Sequence, residues 1–425
     1  MKLDRVLSLP ASPAPANLPR GRSITGVKEH NLQAILSALL RYGPVSRVDM
    51  ARLTGLSSTT VTNLVTELLE QGIVEGAGKL EAEGERPAAG RPRTLVRLIP
   101  DARCAVGIHI GVDTVRVGVT DLFGALQAYR LARQPENASP AQLLGLAAAQ
   151  MEDALAESGK CRDCLVGIGV GASGLTDPRT GVNVLAPSLG WRNVPVRDIV
   201  EGLTGRPVTV DNNVRAMALA ESMFGAGRDV NTLAFIYSRV GVGAGFVVGG
   251  QLYRGTQYGA GEIGHTTVVP VGGKPCRCGN SGCLETLVSE GEIVRQAAVL
   301  AESSPHSSLA RCLQAETSVD AVFEAARGGD RHALALLDEC AFHLGTTLAN
   351  LTNLLNPDMI IVGGLFAAGS DLLLPRVEET MRRRAFAGLG ERVTLAVTTF
   401  GQKVGVIGAA ALALDTFFYR QGTDA

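Results

Sequence analysis

Four residues within one short stretch carry the most distinctive chemistry in the chain. His265, Cys276, Cys278 and Cys283 form the pattern H-x10-C-x-C-G-x3-C. One imidazole and three thiolates suit tetrahedral zinc, and a shell closed by four protein ligands leaves no position for an activated water. The expected metal is therefore structural. Gly272, Gly273, Gly279 and Gly282 would let the backbone turn tightly around it. A second pair, Cys161 and Cys164, has the C-x2-C spacing but no matching partner pair, and reads as unligated. Eight cysteines in 425 residues are too few for a disulfide framework.

A second set of side chains could read DNA. Ser58, Thr59, Thr60, Thr62, Asn63 and Thr66 are short and polar, and no acidic residue interrupts them before Glu67. On one face of a helix they could enter a major groove and reach base edges or phosphates. Further on, Gly90-Arg91-Pro92-Arg93 precedes a strand-like run from Thr94 to Leu98. On the tip of a wing, Arg91 and Arg93 would suit the negative potential of a minor groove. Glu81, Glu83 and Glu85 disfavour phosphate contact by the preceding part of that loop.

Definite elements must position these groups. Leu32, Ile35, Leu36, Leu39 and Leu40 repeat with helical period, predicting a helix over 27–41 that Gly43-Pro44 stops. A short helix follows Ser46. Leu53-Thr54-Gly55-Leu56-Ser57 then supplies a turn, with Ser57 as N-cap of a third helix whose Val61, Leu64, Val65, Leu68 and Leu69 face inward. Together these predict a winged helix-turn-helix over 23–98, preceded by a Pro- and Ala-rich arm over 1–22. From about Pro100, Gly-rich β patterns such as AVGIHIGV, CLVGIGVGASG and NTLAFIYSRVGVGAGFVV alternate with helical stretches, an α/β signature. The glycine-rich hairpin pattern opens near 105 and again near 233, as two similar lobes would require.

Composition sets outer limits. The chain is 46% hydrophobic, 19% charged and 4% aromatic, with a net charge of −1, so it is neither a uniformly basic nucleic-acid coat nor a charged disordered polymer. Its apolar runs, such as 240–250 and 404–414, stop short of the roughly 18 residues a membrane span requires. Asp4, Pro10, Pro13 and Pro15 interrupt any signal-peptide core, so the expected location is cytoplasmic.

The segments 167–191, 208–227, 249–265 (GGQLYRGTQYGAGEIGH), 276–285 (CRCGNSGCLE) and 355–364 (LNPDMIIVGG) closely resemble the ROK family of repressors, open reading frames and kinases. The resemblance covers nearly all of 102–418. It implies an actin-like, two-lobed, ribonuclease-H-like domain over 99–425 that binds a sugar between its lobes. The lobes would divide near 225, and a C-terminal helix near 404–418 would return to the first lobe. Members with an N-terminal winged helix are similar to carbohydrate-operon repressors such as the xylose repressors. By the same resemblance the sugar-contacting positions fall on Asn212, Asn213, Glu262, His265 and Glu285, with Ser188 a further candidate. One nitrogen of His265 would ligate zinc while the other faces the sugar.

The family also contains ATP-dependent sugar kinases, and here the residues depart from the pattern. The family's Asn-Asp pair, whose Asp serves as base, is Asn212-Asn213, and an amide cannot accept the proton of an attacking hydroxyl. The first phosphate loop, Asp-x-Gly-Gly-Thr in the family, reads His109-Ile110-Gly111-Val112-Asp113; the second begins with Arg239 and Val240 rather than Gly-Thr. The expectation is a sugar-responsive DNA-binding regulator, a repressor of carbohydrate-utilisation genes with a kinase-derived cleft as sensor. The alternative is a ROK sugar kinase carrying a DNA-binding module. Operator DNA, a sugar effector and a second copy of the chain are the expected partners, since two-fold pairing suits a palindromic operator. Sugar entry would close the lobes and change the spacing of the paired heads.

Overall fold

The structure is a computed structural model that describes residues 24–79 and 94–420. The 1–22 arm, Arg91 and Arg93 lie outside the described residues. The described chain divides into two compact units: the residues up to Ala216 with those from Gly405 onward, and Met217–Val404. No helix among the described residues is long and apolar enough to cross a membrane.

The first unit begins with three helices and a small sheet. Helix α1 (Ile24–Tyr42) is followed by β1 (Val45–Ser46), α2 (Arg47–Thr54), α3 (Ser58–Glu70), β2 (Val74–Lys79) and β3 (Thr94–Leu98). The strands pair antiparallel in the order β1-β3-β2. The local chemistry explains these boundaries. Ser46 Oγ accepts from Asp49 N at the start of α2, Gly55 ends that helix at φ 70°, and Ser57 Oγ accepts from Thr60 N to start α3. Ile35, Leu39, Met50, Val61 and Val65 are fully buried and hold the three helices together. Leu69 departs from expectation: it is 38% exposed, because it lies on the last turn of α3, at the rim of that core.

After a short turn at Pro100–Ala102, β4 (Cys104–Ile110), β5 (Thr114–Thr120) and β6 (Leu126–Arg133) form an antiparallel meander. Helix α4 (Pro140–Ser158) leads to β7 (Leu165–Ala172), which pairs parallel with β4. A small sheet of β8 (Leu175–Asp177), β9 (Val182–Ala186) and β10 (Trp191–Pro195) precedes α5 (Val196–Thr204) and β11 (Val208–Asn212), which completes the order β11-β7-β4-β5-β6. Every residue of β4 is buried, as a strand covered on both faces must be. Val106, Ile108 and Ile110 pack with Leu144, Ala147 and Met151 of α4. The alternate face meets the C-terminal helix: a Cβ built on Gly107 falls 2.1 Å from Val406 O, and one on Gly169 falls 1.7 Å from Ala409 O.

Cys161 and Cys164, expected to be unligated, are joined in a disulfide. The tight turn at Arg162–Cys164 brings their Cα atoms to 5.4 Å, within bonding range.

The division between the units falls within α6 (Asn213–Phe224). In the second unit β12 (Thr232–Ser238), β13 (Val242–Val248) and β14 (Gln251–Tyr253) repeat the antiparallel meander. A helical stretch follows: α7 (Glu285–Val288), α8 (Glu290–Ser303), α9 (Ser308–Ala315), α10 (Val319–Arg327) and the long α11 (Arg331–Leu355). Then come β15 (Met359–Gly364), α12 (Leu365–Ala368), α13 (Ser370–Arg384), α14 (Leu389–Arg392) and β16 (Thr394–Val397), after which α15 (Val404–Leu414) returns the chain to the first unit. The sheet order β14-β13-β12-β15-β16, with β12, β15 and β16 parallel, copies the order and directions of the first sheet. The duplicated hairpin pattern in the sequence is thus a duplicated five-stranded sheet.

Candidate functional site

The four expected metal ligands converge. The donor atoms of His265, Cys276, Cys278 and Cys283 all lie within 4.8 Å of one another. His265 Nδ1 stands 3.6 Å from Cys276 Sγ, and Cys278 Sγ stands 3.8 Å from Cys283 Sγ. A tetrahedron with metal–sulfur bonds of about 2.3 Å and a metal–nitrogen bond of about 2.05 Å has N–S edges of about 3.6 Å and S–S edges of about 3.8 Å. The His265–Cys276 and Cys278–Cys283 distances match these edges, and the whole set could hold a metal ion. His265 ends the turn Ile263–His265, and the knuckle closes on bonds from Cys276 N to Asn280 O and from Gly279 N to Cys276 O. Gly282 permits the crossing: at φ 71°, its Cβ would fall 1.9 Å from Val269 O.

The thiols show why this cluster wants a cation. Burial, reinforced by its two cysteine neighbours, pushes the Cys283 thiol up to about 12. Burial also acts on Cys278, but the Asn280 amide and the other two sulfurs outweigh it and hold that thiol below its ordinary value. Three sulfurs pressed together with no cation resist joint ionisation, whereas a divalent ion among them would favour the thiolates.

Glu285, at the start of α7, is buried and fully engaged. Its Oε2 accepts from Val242 N at 3.0 Å and its Oε1 pairs with Arg277 Nε at 2.9 Å. Arg277, flanked by two of the metal ligands, went unnoticed in the sequence; its place inside C-x-C was the available signal. Glu262 is exposed and opens the turn that carries His265.

Asn212, Asn213 and Ser188 belong to the first unit. Asn212 closes β11 and caps α6: its Oδ1 accepts from Val214 N and Arg215 N while its Nδ2 donates to Gly174 O. That carboxamide shapes backbone. Asn213 is nearly buried; its Oδ1 accepts from Val214 N, and its Nδ2 reaches Ser173 Oγ at 3.5 Å. Ser188 sits half-buried on the turn Pro187–Leu189. The neighbouring Asp211 is 1% exposed and paired with Arg215 at 2.7 Å, so it cannot replace an absent base at 213.

In both turns expected to descend from phosphate loops, some backbone groups already have partners within the chain. In the β4–β5 turn, Gly111 N donates to Thr114 O while Gly111 O accepts from Gln134 Nε2. In the β12–β13 turn, Arg239 N donates to Gly241 O, and Val242 N donates to the Glu285 carboxylate.

On the head, Ser58, Thr59, Thr62, Asn63 and Thr66 are exposed along α3. Thr60 is half-buried, and its hydroxyl bonds Ser57 Oγ at 2.8 Å within the helix cap. Arg52 on α2, with a side chain 78% exposed, is a cation the sequence reading passed over.

A model of the ROK family matches residues 105–416, and a model of a winged helix-turn-helix DNA-binding domain matches residues 28–75. A xylose repressor of Caldicellulosiruptor bescii is 29% identical over 391 residues, covering 92% of this chain and 96% of that protein. A glucokinase of Halalkalibacterium halodurans is 34% identical over 313 residues, covering 73% of this chain and 94% of that protein. Among solved structures, a ROK family transcriptional regulator described as a homologue of the E. coli MLC protein has a TM-score of 0.80 at 25% identity, covering 93% of this chain and 98% of that one.

Proposed function

The chain belongs to the ROK family, and from that premise we propose that it is a sugar-responsive DNA-binding transcriptional regulator, a repressor of carbohydrate-utilisation genes acting as a homodimer in the cytoplasm. The observation that carries this reading is the joining of a winged helix-turn-helix, matched over 28–75, to a ROK domain built on a duplicated sheet, in whose second turn the Val242 amide is spent on Glu285. In the head, Ser58, Thr59, Thr60 and Asn63 on α3 would contact operator DNA, with Arg91 and Arg93 supplying wing contacts. In the ROK domain, Asn213, Glu262, His265, Glu285 and Ser188 would contact the sugar, and Asn212 would hold the backbone around Asn213. Zinc bound by His265, Cys276, Cys278 and Cys283 would be structural, since four converging protein donors leave no open coordination position.

Kinase chemistry is disfavoured by three features. Asn213 cannot take a proton, Asp211 is locked to Arg215, and the Val242 amide that could meet a phosphate already serves a carboxylate. The test is operator binding by the purified full chain with and without sugars, alongside a coupled assay of ATP consumption. The expected result is operator affinity that changes with one class of sugar, and no turnover. Turnover well above background, or operator affinity indifferent to hexoses, pentoses and N-acetyl sugars alike, would refute it.

A further inference from the structure

Arg277 lies between two metal ligands, Cys276 and Cys278, yet its guanidinium turns away from the sulfurs to Glu285. Its Nε stands 2.9 Å from Glu285 Oε1, while the other carboxylate oxygen is fixed by Val242 N. The carboxylate of Glu285 is therefore clamped at both oxygens, once by the metal knuckle and once by the β12–β13 turn. Gly241 makes room for this clamp. A Cβ there would fall 2.8 Å from Glu285 Oε2 and 3.0 Å from a terminal nitrogen of Arg277. The glycine in this turn thus has a reason unconnected with phosphate.

Exposure completes the picture. The Arg277 side chain is 47% exposed while that of Glu285 is 9% exposed, so the guanidinium forms the outer member of the pair. The ion pair brings Nε to the carboxylate, and a guanidinium carries five N–H donors in a fixed plane. Together the two groups present donors and acceptors side by side with no net charge, which suits adjacent hydroxyls of an uncharged sugar.

We infer that Arg277 is the positioning residue through which the metal knuckle fixes Glu285, and that it donates to a hydroxyl of the same sugar. This rests on the sugar-sensor reading. The knuckle then does more than stiffen a loop: by holding Cys276 and Cys278, the metal sets the starting point of the Arg277 side chain, and Arg277 sets the carboxylate.

The test uses the zinc-loaded full chain, with D-glucose, D-xylose and N-acetyl-D-glucosamine as probes in titration calorimetry and zinc counted per chain. Arg277→Ala should keep one zinc per chain while weakening the best probe at least tenfold, and Arg277→Lys should recover part of the loss. Gly241→Ala, which removes no charged group but crowds the pair, should weaken the same probe while retaining zinc. Monodeoxy analogues of that probe give a readout that mere folding would not move: one position that costs affinity in the wild type should become neutral in Arg277→Ala. Equal affinity of Arg277→Ala and wild type, or loss of zinc from Arg277→Ala, would overturn the inference and leave the sensor reading standing. A wild type that binds none of the three probes would remove that reading and this inference with it.

Discussion

The C-terminal helix can be dislodged by one methyl group. Gly169 lies in β7, the strand between β4 and β11, and its hydrogen points into the backbone of α15. In Gly169→Ala the new Cβ would sit 1.7 Å from Ala409 O, 2.8 Å from Ala409 C and 3.1 Å from Ala413 N. An ordinary carbon–oxygen contact is about 3.3 Å, so helix and strand must separate by roughly 1.5 Å. A gap of 0.5–1 Å already forfeits a quarter to a half of each dispersion contact, and Ala409, Ala410, Ala413 and Leu414 are all fully buried. Overpacking typically costs about 1–3 kcal/mol, and a clash between two backbones that neither side chain can relieve belongs at or above the top of that range.

Trp191 is the only tryptophan in the chain and is buried in the core of the same unit, so its fluorescence follows this unit alone during urea unfolding. Gly169→Ala should lower that midpoint by the equivalent of about 3 kcal/mol. Gly107→Ala, which meets Val406 O at 2.1 Å, should do the same. One lift of the helix relieves both clashes, so the double variant should cost clearly less than the sum. Gly145→Ala provides the opposite sign: it lies inside α4 with nothing within 4 Å of its Cβ, and should stabilise by about 0.5–1 kcal/mol. A Gly169→Ala midpoint at or above that of the wild type would refute the packing argument.

Other changes follow from single contacts. Cys278→Ser should lower bound zinc from one per chain to well below that in metal analysis, because an alcohol is a poor replacement for a thiolate. Asp330 caps α11 and accepts from Leu309 N and Ser308 Oγ; burial pushes its carboxyl up, but these bonds outweigh it and hold it below the usual range. A lowered folded-state pKa means stability that is present above about pH 4 and lost as pH falls further. Asp330→Asn should therefore cost about 1–2 kcal/mol at pH 7, and its unfolding curve should approach that of the wild type in acid. Asn63→Ala should cost operator affinity at one base position by about 1–3 kcal/mol, whereas Arg91→Ala with Arg93→Ala should weaken all sequences and flatten the salt dependence by about one unit of slope per lost phosphate contact.

What the sequence discloses depends on how local the cause is. The winged helix was legible because its signals sit within a few residues of their effects: Ser46 and Ser57 as caps, Gly55 as a turn, and a heptad-like run of leucines in α1. The metal cluster was legible because C-x-C and the glycines around it constrain one another. The contacts that shape the ligand residues were hidden. Nothing in the local pattern announces that Asn212 spends its amide on Gly174, that Glu285 is shared between Val242 and Arg277, or that Glu221 is fully buried and takes both Thr398 and Thr399. The Arg277 contact aside, each joins segments from 38 to 178 residues apart, and only the folded topology sets those distances. Leu69 failed for the reverse reason: helical period assigned it a face, but not how far that face stays covered near a helix end.

The two sheets share one topology, so the β4–β5 turn and the β12–β13 turn occupy equivalent places in their halves. Each turn has backbone groups bonded from within the chain, by different means. The first is closed by its own neighbours, Thr114 and Gln134; the second is closed by a carboxylate held in place from the metal knuckle. Restoring Asp at position 213 would supply a base, but Val242 N would still be bonded to Glu285. Freeing that amide would in turn loosen the carboxylate that the sugar is proposed to use. In the second turn the Val242 amide can serve the Glu285 carboxylate or an incoming phosphate but not both, and the proposed sensor is the reading in which the carboxylate keeps it.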